Sequence, residues 1–153
     1  VKLQYAHDAF ATLPVLARRW PLVIFFYPGT EGTITPRDGE SVSVDERRAV
    51  TWMRCEPELA RLGYEVIGVS GQSAIEQARF ASREPISYIL LSDPKLRLAE
   101  LLGLPTTGSQ AARAYKPLTI IVRDQRIARV FHPIGGVDEA GVVVRWVRDR
   151  PDQ

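Results

Sequence analysis

Residues Pro21–Thr30 read PLVIFFYPGT, an apolar run from Leu22 to Tyr27 held between two prolines. A run of that length bounded by turn signals fits a strand buried on both faces, as in the middle of a parallel sheet. Pro28 and Gly29 then turn the chain at the strand's carboxyl end, the end at which open α/β sheets place their chemistry.

Outward from this strand, buried runs alternate with amphipathic segments. Glu31–Val44, rich in Gly, Thr, Ser, Pro and charge, reads as a long surface loop of the kind that often carries function. The spacing of Trp52, Cys55, Leu59 and Leu62 predicts a helix over Asp45–Leu62, broken or kinked at Pro57 because its ring clashes with the preceding turn. Tyr64–Val69 is a second buried strand. Ser73–Glu84 is an amphipathic helix with Ile75, Ala78, Phe80 and Ala81 inward. Tyr88–Leu91 is a short strand, and Ser92-Asp93-Pro94 opens a helix over Lys95–Leu102, with Pro94 near its first position and Gly103 at its end. Leu118–Val122 and Ile127–Phe131 form a hairpin about Asp124-Gln125, and Val137–Val147 is a closing helix. This order describes one α/β domain of three layers, a central mixed sheet with helices on both faces. Two adjacent strands joined by a tight turn must be antiparallel, which favours a thioredoxin-like arrangement over a flavodoxin-like one.

The chain has 153 residues, enough for one sizeable core, and a net charge of +2 with acidic and basic residues intermixed. It shows no basic stripe for nucleic acid and no apolar run of the ~20 residues that cross a bilayer. The single cysteine, Cys55, forbids an internal disulfide and fits a reducing compartment, so a cytoplasmic location is expected, with no leader in view. His7 and His132 have no evident catalytic partner at telling spacing and read as surface residues. No metal or cofactor is expected.

Four stretches carry a resemblance: FFYPGT at Phe25–Thr30, GYEVIGVS at Gly63–Ser70, LLSDPKLRLAELLGLPT at Leu90–Thr106 and YKPLTIIVRDQRIARVFHPI at Tyr115–Ile134. Together they resemble peroxiredoxins of the alkyl hydroperoxide reductase/thiol-specific antioxidant family, near the Q-type members. The resemblance implies a thioredoxin fold and a peroxidatic cysteine in the first turn of the helix after the Tyr-Pro loop. Counted back without gaps from Gly68-Val69-Ser70, that position falls on Asp45. The family's Phe falls on Trp52, the Q-type resolving cysteine on Val50, and the active-site Arg on Pro117. The loop lacks the usual Thr-Pro-Gly-Cys ending.

These substitutions change the chemistry. A helix amino terminus and a guanidinium together lower a thiol pKa and stabilise charge on the peroxide oxygens. Asp45 cannot attack an O–O bond usefully; it is suited to cap the helix, a contribution of ~1 kcal/mol. Cys55, on the inward stripe with Trp52 and Leu59, reads as a small core hydrophobe. The alternative makes it a displaced peroxidatic thiol, the only nucleophile an active thiol peroxidase would have here. Pro117 is either a cis proline facing the site or a trans proline at the start of a strand. Tyr27, Pro28, Thr30, Asp45, Trp52 and Pro117 form the rim of a vacated site, expected to take a small-molecule or protein ligand. A homodimer is also expected to be possible, and a different, non-thiol reaction in the rebuilt loop is the third reading.

Overall fold

The computed structural model describes residues 2–5, 9–28, 44–83, 86–108, 113–132 and 139–150, with backbone alone at 2–5, 9–12 and 44–49. Its main sheet has seven strands in the order β2-β1-β5-β4-β3-β8-β9. The interior strand β3 (Leu22–Phe26) pairs in parallel with β4 (Glu65–Ser70) and antiparallel with β8 (Leu118–Arg123). β4 continues in parallel to β5 (Ile89–Ser92), and β8 turns back as the edge strand β9 (Arg126–Phe131). The amino-terminal hairpin of β1 (Lys2–Tyr5) and β2 (Ala9–Thr12) adds antiparallel to β5.

Every residue of β3 is buried, and the period of two splits them between two cores. Val23 and Phe25 face the cluster holding Trp52 and Leu59 of α2 (Val44–Arg61), Phe80 of α3 (Ala74–Arg83), and Val143 and Val147 of α5 (Glu139–Asp149). Leu22, Ile24 and Phe26 face the other cluster, against Leu13 and Leu16 of α1 (Leu13–Arg19) and Leu98 and Ala99 of α4 (Arg97–Leu102). The three layers and mixed sheet are therefore those expected from the sequence. No helix among the described residues is long and apolar enough to cross a membrane.

Two close contacts explain local sequence. Gly68 of β4 lies beside Phe25, where a Cβ would come within 2.7 Å of the Phe25 ring and 2.8 Å of Leu90 Cδ2. The β8–β9 turn places Asp124 and Gln125 at φ 51° and 63°, the left-handed pair that a two-residue hairpin of matching twist requires.

Several details differ from the sequence reading. Of the break or kink expected at Pro57, the break is absent: α2 continues through Pro57, whose ring sits on the exposed side, where water can take up the carbonyl left without its N–H partner. The same helix stops at Arg61, so Leu62 falls beyond the buried stripe and is exposed. In α3 the inward stripe is Ala74, Gln77 and Phe80, leaving Ile75 59 % exposed, because a polar Gln occupies a core position. Pro94 lies in a turn ahead of α4 rather than in its first turn, with Leu96 in the left-handed region at the helix start. β1, β2 and α1, together with the two-stranded pair β6 (Thr106–Thr107) and β7 (Ala114–Tyr115), carry no clear periodicity in so few residues.

Candidate functional site

Register assembles the site end of the sheet. Phe26 pairs with Leu118, so Tyr27 and Pro28, leaving β3, come beside Pro117, which leads into β8. The Tyr27 N–H donates to the Val69 carbonyl at 3.1 Å, extending the parallel pairing by one residue. Crossing back, α2 begins at Val44, which puts Asp45 inside its first turn rather than at the capping position ahead of it. A carboxylate there still complements the helix dipole. Gly29, Thr30 and residues 31–43 of the expected Glu31–Val44 loop lie outside the described residues.

Of the expected rim, Tyr27 and Trp52 are core side chains, 0 % and 1 % exposed. Trp52 stacks on Phe25 with ring centroids 5.4 Å apart and planes 9° from parallel; Tyr27 also stacks on Phe25, at 5.5 Å. Both rings therefore pack within the core cluster at this end of β3 rather than standing in solvent. Pro28 and Pro117 are half-buried, and no described peptide bond is cis, so Pro117 is the trans proline of the two readings.

Cys55 is half-buried and packs against the Trp52–Leu59 core cluster. It follows Asp45 by ten residues on one helix, or ~15 Å along the axis. The structure therefore brings Tyr27, Pro28, Pro117 and the start of α2 to one end and leaves Cys55 well down the helix.

A polar network at the carboxyl ends of β4 and β5 was not singled out by the sequence as a unit. The Ser70 hydroxyl accepts from Gln77 Nε2 at 2.9 Å, and the same Nε2 donates to the Leu91 carbonyl at 2.8 Å. The Ser92 hydroxyl donates to the Gln72 carbonyl at 2.6 Å. Next to it, buried Asp93 accepts from the N–H groups of Arg97 and Leu98, both at 3.0 Å, and from the Tyr115 hydroxyl at 2.6 Å. Asp93 is thus the helix-start residue expected from Ser92-Asp93-Pro94, acting one turn later than foreseen. Burial, reinforced by the Asp93 carboxylate, pushes the Tyr115 phenol far above the ordinary tyrosine range, so it stays a proton donor. The only sequence signal for Gln77 is a polar residue three before Phe80 on one helix face. On the face of the sheet that carries α3 and α5, Thr119 donates to Glu139 at the start of α5.

Comparison with known proteins identifies the lineage. Residues 51–130, more than half of the chain, match the AhpC/TSA family. The chain belongs to that family. The matched stretch begins at Thr51, so it includes Cys55 and the β8–β9 hairpin and starts after Tyr27–Asp45. Peroxiredoxin Bcp of Escherichia coli K12 is 25 % identical over 134 residues, covering 84 % of this chain and 78 % of its own. Among solved structures, peroxidoxin BcpB of Mycobacterium tuberculosis superposes with a TM-score of 0.81 at 21 % identity, covering 100 % of this chain and 94 % of its own. A PrxQ mutant of Xylella fastidiosa gives 0.80 at 16 % identity, covering 99 % and 90 %. The AhpC/TSA chain described here therefore has the peroxiredoxin form of the thioredoxin fold, like these Bcp and PrxQ proteins.

Proposed function

We propose that this AhpC/TSA protein does not carry out the conventional thiol-peroxidase reaction, and that its Tyr27-Pro28 end serves as a binding site for a small molecule or a protein partner. One observation carries the reading: its only thiol lies ~15 Å along α2 from the helix start, packed against the aromatic core. Peroxide reduction needs a thiolate that attacks one peroxide oxygen, becoming a sulfenic acid while the O–O bond breaks and the second oxygen leaves as alkoxide or hydroxide. The family delivers that thiolate at the helix amino terminus, where the dipole favours negative charge. Asp45 occupies that turn here and offers no such nucleophile.

The test is a stopped-flow or coupled assay with hydrogen peroxide on the full chain and on Cys55→Ser. Turnover no greater than that of a free thiol, and the same in both proteins, is the expected result. The second reading, Cys55 as an active nucleophile, draws on the fact that this side chain is half-buried rather than fully enclosed. Fast alkylation near neutrality that does not vary with pH, together with peroxide turnover lost in Cys55→Ser, would establish that reading and overturn the first.

A further inference from the structure

We propose that the surface formed by α1, α4 and the β8–β9 turn binds an anionic amphiphile, an aliphatic chain ending in a carboxylate or phosphate. It lies at the Leu22 end of β3, opposite the Tyr27-Pro28 end, so it stands independently of the function proposed above.

The apolar half is a cavity of about 290 Å³, near the lower bound of ~300 Å³ for small-molecule sites. Its floor is aliphatic sheet, Leu22 and Ile24 of β3 with Ile120 and Val122 of β8. Ala17 of α1 walls one side and Leu98 of α4 the other. The mouth keeps large aliphatic groups in water, with Leu101 64 %, Leu102 41 % and Ile127 45 % exposed. Contiguous exposed aliphatic surface around a concave site is the signature of an apolar ligand.

Ala17 and Gln125 also line a second cleft of about 470 Å³, so the two hollows adjoin. Polarity reverses across that junction. Among the described residues, the second cleft is lined by Arg18, Arg19 and Arg123 and by one acidic residue, Asp124. Arg123 is held in place by donation to the Tyr64 hydroxyl and the Arg150 carbonyl and by the Trp146 ring 5.0 Å away. Arg19 lies over the Trp20 ring at 5.0 Å, and Arg18 Nε donates to the Pro14 carbonyl at 3.4 Å. Arg126 adds a fourth cation on the rim of the apolar cavity. A chain seated on the aliphatic floor therefore has its terminal group beside a cluster of guanidiniums, whose fork geometry suits carboxylate and phosphate oxygens.

The experiment is calorimetric titration of the full chain with decanoate, decyl phosphate, decanol and inorganic phosphate, below micelle-forming concentrations. Saturable one-to-one binding of decanoate or decyl phosphate is expected, with decanol and inorganic phosphate each weaker by about tenfold or more, the factor that 1.4 kcal/mol represents. The tighter of the two amphiphiles identifies the head group. Arg18→Gln/Arg19→Gln should weaken the anionic probes by about tenfold and leave decanol unchanged, whereas Leu101→Gln should weaken anionic probes and decanol alike. All three substituted side chains are exposed, so the fold survives. The proposal is overturned if neither anionic amphiphile saturates, if decanol binds as tightly as decanoate, or if both variants bind like the parent chain.

Discussion

Replacing Tyr115 by Phe removes one hydroxyl from a buried junction and little else, because the ring still meets Phe26 at 5.0 Å. The hydroxyl donates to Asp93 Oδ2 at 2.6 Å and accepts from the Ala99 N–H at 3.2 Å. Hydrogen bonds to charged groups contribute about 1.5–3 kcal/mol each, so a loss of about 2 kcal/mol is expected. Asp93 keeps the two N–H donors of Arg97 and Leu98, and the Ala99 N–H keeps a contact of 3.1 Å to the Leu96 carbonyl, which holds the loss near that value. Urea unfolding followed by far-ultraviolet circular dichroism should show a midpoint lowered by about 1 M, given a slope of about 2 kcal/mol per molar. The pH dependence has a definite sign. The folded phenol pKa is raised above its ordinary 10.0, so the stability it contributes is fully present below that value and declines only above it. The loss in Tyr115→Phe should therefore be equal at pH 6 and pH 8. A midpoint shift under about 0.2 M, or a loss that changes between those two pH values, would refute the argument that this bond anchors the start of α4.

Gly68→Ala should destabilise the protein by about 1–3 kcal/mol, since the new methyl drives into a Phe25 ring already stacked on Trp52; an unchanged urea midpoint would show that the ring has room to move. Glu65 is held above the usual carboxylate range by burial and by the nearby Glu56. A raised folded pKa means that its favourable contribution is complete below the unfolded value and lost as pH climbs through the folded one. Glu65→Gln should accordingly be more stable than the parent at pH 7, with the gain disappearing toward pH 4, and an equal gain at both pH values would contradict this.

Sequence was most informative where burial is uniform or turn chemistry is specific. The PLVIFFYPGT run is an interior strand because six successive apolar residues have only one kind of place to go, between two helical layers. The Asp124-Gln125 turn and Gly103 were legible because few backbone conformations suit those positions. Local clash at Pro57 predicts a break, but the tertiary packing of Trp52 and Leu59 holds the helix together on both sides of it. Local pattern places Gln77 of α3 in solvent, and only its buried partners, the Ser70 hydroxyl and the Leu91 carbonyl, account for its inward position.

By itself, then, the sequence determined the lineage and the three-layer order of elements. Those follow from periodicity, turn residues and counting along one chain. Tertiary structure alone decided that Tyr27 and Trp52 stack on Phe25 in the core. It also joined Asp93 to Tyr115, and it set an aliphatic hollow against an arginine cleft at the far end of the sheet. Such juxtapositions depend on strand register and helix placement, which bring together residues distant in sequence and leave no mark on the local pattern around any one of them.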